Sequence, residues 1–155
     1  MQNTTCCFIG HREIEETEKL TKSLAAVIET LILKNGVDTF LFGSKSRFDS
    51  LCYRQVSELK IKYPHIKRIY VRAEYPEIDD AYKNYLLTLY EDTYYAKNAV
   101  GKAVYVERNR EMIDKSCFCV FYYRESALPK GRKSGTALAI AYAKKLKKEI
   151  FVLTD

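Results

Sequence analysis

Two rhythms alternate along the chain. Short unbroken apolar runs are followed by longer stretches in which apolar residues return at every third or fourth position. Residues 4–9, with Cys6-Cys7-Phe8-Ile9, read as a buried strand that Gly10 ends. Residues 14–34 read as a helix: Leu20, Leu24, Val27, Ile28 and Leu31 share one face, and Asn35-Gly36 supplies a C-cap. Residues 39–42 form a second strand, ended by Gly43-Ser44. Residues 49–63 form a helix with Cys52, Val56 and Leu59 on one side, and Pro64 stops it. Residues 68–71 make a third strand. Tyrosines crowd the next stretch, where residues 79–89 read as a helix and residues 94–106 as a loop with at most a short strand. Residues 107–115 read as a helix with Met112 and Ile113 inward, and residues 117–122 as a strongly apolar fourth strand. A basic loop, residues 124–133, follows. Ser134 opens a helix running to about Lys148, and residues 149–153 make a fifth strand.

Strands that are apolar throughout, alternating with helices, belong to a parallel sheet covered on both faces. The expected architecture is therefore α/β: an open doubly wound parallel sheet with strand order 3-2-1-4-5 and a switch point between strands one and four. The 155 residues suit a single domain, residues 1–155.

Composition narrows the setting. No apolar run reaches the roughly 18 residues of a membrane span, and no signal peptide is legible, so a cytoplasmic protein without membrane association is expected. The five cysteines are an odd number, and four sit in apolar runs where cysteine behaves as a small hydrophobe. They are expected to be reduced and unmetallated, with Cys117 and Cys119 on the same face of the fourth strand. No CxxC or Cys/His cluster suggests a metal site. The net charge of +6 favours anionic partners, but the basic residues are spread along the chain. The densest group, Lys144-Lys145-Leu146-Lys147-Lys148, suits the negative end of a helix dipole.

In such sheets ligands lie beyond the carboxyl ends of the strands, near the switch point. The loop after strand one carries Gly10, His11 and Arg12. Arginine can grip a phosphate or carboxylate in a two-pronged fork, or the tripeptide is an ordinary strand-to-helix turn. After strand two, Gly43 and Ser44 could contribute to an anion nest, and Asp49 could cap the next helix or accept a ribose hydroxyl. Strand three delivers Arg72-Ala73-Glu74. After strand four, Ser134, Gly135 and Thr136 open a helix whose free N–H groups suit a phosphate, with Lys133 adding charge just before. His11 has no Ser or Cys to activate, so it is expected to cap or touch a ligand. Most tyrosines should pack at the core edge; Tyr94 and Tyr95 are the best placed to stack on a base.

Three stretches together resemble one family. Cys6-Cys7-Phe8-Ile9-Gly10-His11-Arg12 resembles the strand-GHR opening of the YpsA-like branch of the SLOG superfamily, a Rossmann-like group that also holds the LOG phosphoribohydrolases and DprA. Arg108-Asn109-Arg110-Glu111-Met112-Ile113-Asp114-Lys115-Ser116 is similar to the family's RN-x-x-M-[VI]-D-x-S helix. Ser134-Gly135-Thr136 with Ala141-Tyr142-Ala143-Lys144-Lys145 is similar to its GGT helix and YAKK tail. The resemblance implies a SLOG fold with a pocket at the Gly10 and Gly135 loops. Arg108, Asn109 and Arg110 would either tie their helix down or reach the ligand. The implied ligand is a small nucleotide derivative: a nucleotide, an NAD-like or an ADP-ribose-like compound. No cofactor follows with certainty, and self-association stays open.

The chain departs from the family at telling places. Ser44 and Ser46 replace small and glycine positions of the second loop, and Ser134 replaces the first Gly of GGT. LOG enzymes carry a glutamate pair after the glycine-threonine, whereas Ala137-Leu138-Ala139 follow Thr136 here. Acid–base work needs a group within hydrogen-bond reach, so LOG-type hydrolysis is not supported. Glu74 or Asp49 would have to serve instead. Expected functions therefore rank as binding of a nucleotide-related molecule, then N-glycosidic cleavage, then DprA-like binding of single-stranded nucleic acid.

Overall fold

The computed structural model describes residues 4–43, 46–97, 103–124 and 135–154. Strands β1 (Thr5–Gly10), β2 (Thr39–Phe42), β3 (Lys67–Arg72), β4 (Asp92–Tyr95), β5 (Phe118–Tyr122) and β6 (Glu149–Leu153) form one sheet. Helices α1 (Glu18–Asn35), α2 (Arg47–Lys62), α3 (Asp80–Leu89), α4 (Val104–Lys115) and α5 (Gly135–Lys145) connect them. Every neighbouring pair is parallel, and the order is β4-β3-β2-β1-β5-β6. The five expected strands keep their expected order, with β1 and β5 adjacent at the switch point.

The sixth strand, β4, is the short strand left open in the stretch read as a loop over residues 94–106, and it starts earlier, at Asp92. It adds to the outer edge beside β3, with Tyr94 opposite Val71. Asp-Thr-Tyr-Tyr is short, begins on a charge and is only partly buried, so it lacks the apolar run that marks the inner strands. The same stretch hid the first turn of α4, which begins at Val104 rather than Glu107.

Side chains alternate across the sheet and build two cores. On one face Cys6, Phe8, Phe40, Phe42, Val120 and Tyr122 pack with Leu20, Leu24, Ile28 and Leu31 of α1 and with Phe48, Leu51, Cys52 and Val56 of α2. On the other, Cys7, Ile9, Leu41, Val71, Cys119 and Phe121 pack with Met112 and Ile113 of α4 and Ala139 and Ala143 of α5. Helices on both faces explain strands without polar positions.

Cys117 breaks the expected pairing with Cys119. It precedes β5 and packs against the first cluster, whereas Cys119 belongs to the second. Residue 117 sits in the bend leaving α4, where strand alternation has not begun. The five cysteines are free.

Helix ends follow the capping chemistry. Thr17 caps α1, its hydroxyl accepting from the Leu20 N–H at 3.1 Å, so the helix starts later than residue 14. Gly36 closes it at φ 66°. At α5 the left-handed closing position falls to Lys147, φ 59°, which ends the helix before Lys148. Among the described residues no helix is long and apolar enough to cross a membrane.

Candidate functional site

A cleft of about 220 Å³ opens beyond the carboxyl ends of β1, β2 and β3. Gly10 and Arg12 reach it from β1, and Gly43 and Ser46 from the β2–α2 turn. Tyr70 and Arg72 come from β3, Ala73, Glu74 and Tyr75 from its exit, Tyr82 from α3, and Tyr105 and Arg108 from α4.

Its floor is organised around the Gly43 peptide. Arg108 Nη1 donates to the Gly43 carbonyl at 2.6 Å, and the Asp49 carboxyl accepts from the Gly43 N–H. Arg108 and Met112 lie one turn apart on α4, so both face this peptide. A Cβ on Gly43 would sit 2.7 Å from Met112 Sδ and 2.9 Å from Arg108 Nε. Side chains of α4 lie against the strand end, so a larger residue at 43 would have to displace Met112 and Arg108. Arg108 is 6% exposed, and its Nε has no hydrogen-bond partner.

Asp49 is not the helix cap. Ser46 caps α2, its Oγ accepting from the Asp49 N–H at 3.0 Å, and Asp49 occupies the first turn. Burial pushes its carboxyl up to about 8, against the opposing pulls of the Gly43 N–H and the Arg108 charge. The group is therefore largely a neutral acid at pH 7. It packs beneath the floor and does not line the cleft, which leaves no opening for a ribose hydroxyl there.

Gly10 also serves packing. A Cβ there would stand 2.3 Å from Phe48 Cδ2, in the first turn of α2. The Arg12 carbonyl accepts from the Arg47 N–H at 2.8 Å, which pins the β1 exit to the same turn and leaves the Arg12 side chain exposed at the cleft. His11 turns the other way. Its Nε2 accepts from the Arg124 N–H at 2.9 Å, and its ring lies among Tyr122 and Tyr123. Burial lowers its pKa, which keeps it neutral and able to accept. It therefore ties the exits of β1 and β5 together across the switch point.

The α5 end stands apart from the cleft. Gly135 lines a smaller hollow with Asn109 and Arg110, and a Cβ on it would meet open space. Thr136 is buried. Helix α4 divides the two hollows: Tyr105 and Arg108 face the cleft, while Val106, Asn109 and Arg110 face α5. Arg110 pairs with Glu107 and lies over the Tyr142 ring. Among the described residues, Gly10, Arg12 and Gly43 line the cleft on the β1–β3 side, and Gly135 lines the smaller hollow. Ser44, Lys133 and Ser134 lie outside the described residues.

The cleft's second wall was only partly foreseen. Arg72 donates from Nε to the Tyr75 carbonyl at 3.1 Å and from Nη1 to Thr93 Oγ1 at 2.9 Å, folding the β3 exit back on itself. Glu74 accepts a hydrogen bond from the Tyr105 hydroxyl, and the Tyr105 ring lies 5.4 Å from the Arg108 guanidinium. Tyr94 and Tyr95 are elsewhere, in β4, where Tyr94 packs on the second core under Lys115. The tyrosines at the cleft are Tyr70, Tyr75, Tyr82 and Tyr105. The rule that selects strand-exit loops marked residues 72–74; nothing marked Tyr82 or Tyr105, whose positions depend on how α3 and α4 dock.

The chain matches no protein-family model, and no curated protein matches it in sequence.

Proposed function

We propose that this chain is a YpsA-like member of the SLOG superfamily and a cytoplasmic protein that binds a nucleotide-related small molecule in the β1–β3 cleft. The observation that carries the reading is the meeting of Arg12 and Arg108 with four tyrosine rings in one cleft at the strand ends. Guanidinium groups suit phosphate, and aromatic rings suit a base. Resemblance at Gly10-His11-Arg12 and over residues 108–116 supports the family, because Gly10, Arg12 and Arg108 line this cleft. Arg12 is the free hand of the site, since its backbone is held by α2 while its side chain stays exposed.

Arg12→Ala tests the reading. Loss of a charge-assisted hydrogen bond worth about 1.5–3 kcal/mol lowers nucleotide affinity roughly ten- to hundred-fold by calorimetric titration. The urea melt of the ligand-free protein should move by no more than about 0.5 kcal/mol, as for an exposed side chain. Unchanged affinity for every nucleotide that binds the wild type would sink the assignment of Arg12.

A further inference from the structure

The base edge a nucleotide presents decides which protein groups can read it. Guanidinium groups only donate, and phenols both donate and accept. Glu74 is the one carboxylate among the described residues lining the cleft. Its Oε1 accepts from the Tyr105 hydroxyl, while its Oε2 meets no partner among the described residues. The loop carrying it is fixed from both sides: Ala73 is buried, and Arg72 holds the Tyr75 carbonyl. A carboxylate that accepts from Tyr105 is thus held at the mouth of a donor-rich cleft, with Tyr75 and Tyr105 beside it.

A carboxylate with both oxygens available is best matched by two adjacent donors on a planar edge. Guanine offers these as N1–H and the 2-amino group. Hypoxanthine offers N1–H alone. Adenine sets the N1 lone pair beside its 6-amino donor, so one oxygen would face repulsion. Cytosine has the same mismatch, and uracil offers one donor between two carbonyls. Resting on the nucleotide reading of this cleft, we infer that Glu74 is a specificity-determining residue that selects a guanine base, its carboxylate accepting from N1–H and the 2-amino group. The oxygen that accepts from the Tyr105 hydroxyl still has a second lone pair for the base. Tyr105 is then a positioning residue that holds the carboxylate, and Arg12 and Arg108 take the phosphate side.

The test is calorimetric titration of the full chain with GDP, IDP and ADP. GDP should bind about ten-fold or more tightly than IDP, which lacks only the 2-amino group, and than ADP. In Glu74→Gln the amide both donates and accepts, which suits adenine. The GDP-to-ADP preference should fall at least ten-fold, with ADP binding retained and the urea midpoint of the free protein unmoved. Equal affinities of the wild type for the three ligands, or a preference that survives Glu74→Gln, would overturn the guanine assignment and leave nucleotide binding standing. If none of the three binds, the nucleotide reading itself falls. The IDP comparison needs no variant, so a poorly folding Glu74→Gln protein would not blunt the test.

Discussion

Gly10→Ala separates two reasons for a glycine at a strand exit: room for a ligand, or room for the protein's own helix. Among the described glycines only Gly36 has a positive φ, so backbone freedom does not explain Gly10. Space does. The added Cβ would stand 2.3 Å from Phe48 Cδ2, 2.7 Å from Cγ and 2.9 Å from Cβ, where ordinary contact begins near 3.4 Å. Turning the ring about Cβ–Cγ relieves only the first overlap, because Cγ and Cβ stay in place, so the first turn of α2 must shift. Phe48 is fully buried and packs on Tyr122, with ring centroids 5.7 Å apart, so the ring itself has little space to turn into. Overpacking of this kind typically costs about 1–3 kcal/mol, and the near-backbone contact places Gly10→Ala at the upper end. Phe48→Ala alone removes a buried ring and should cost about 3–5 kcal/mol. In the double variant the ring overlaps are gone, so the cost should fall short of the sum by about 1–2 kcal/mol, within the usual range for residues in contact. Urea melts of the four ligand-free proteins, followed by circular dichroism, measure this coupling. An unmoved midpoint for Gly10→Ala, or strict additivity, would refute the packing account. Loss of nucleotide affinity with intact free-protein stability would assign the glycine to the ligand instead.

Two further outcomes follow from the same geometry. The Asp49 carboxyl is held up to about 8 in the folded chain by burial, far above its unfolded value. The folded state keeps a proton that the unfolded state releases, so this group's contribution to stability should decline by about 1.4 kcal/mol per pH unit between roughly pH 4 and 8, and level off above. Asp49→Asn removes that slope, so urea melts at pH 5 and pH 8 should show the variant gaining on the wild type at the higher pH; parallel curves would refute the buried-acid account. At the end of α5, Lys147 adopts φ 59°, a conformation that costs an L-residue about 1–2 kcal/mol and glycine almost nothing. Lys147→Gly should stabilise the fold by about 1 kcal/mol, raising Tm by roughly 2–4 °C, and a lowered Tm in a thermal melt would count against it.

The inner sheet was legible because burial on both faces leaves β1, β2 and β5 apolar beyond the opening Thr5 and Thr39, and such runs resemble little else. Edge strand β4 was not legible, since an edge needs only one packed face and four residues carry little periodicity. Helix starts slipped where a serine or threonine lay upstream of the first apolar-periodic residue, as at Thr17 and Ser46. Gly10, Arg12, Gly43 and Glu74, on loops that the strand-exit rule selects, line one cleft. The rule could not tell which side of β1 the cleft would occupy, because that depends on where α4 lies. Helix α4 covers the end of β2 and directs Arg108 one way and Arg110 the other.

The residues that build the cleft floor and those with room to vary what it holds are therefore not the same set. Gly43, Asp49, Arg108 and Met112 are held to one another: a strand-end peptide gripped at its carbonyl by Arg108, at its N–H by Asp49 and packed by Met112. Changing one leaves a buried polar atom or an overlap at the others, so this arrangement sets the cleft floor whatever fills the cleft. Glu74, Tyr75 and Tyr82 lie on the β3 exit and on α3, with fewer internal obligations. Substitution there alters what the cleft can hold without disturbing how it is built. The β3 exit and α3 therefore bear on which base the cleft takes, which Glu74 tests, while Arg12 on the β1 exit tests the phosphate side.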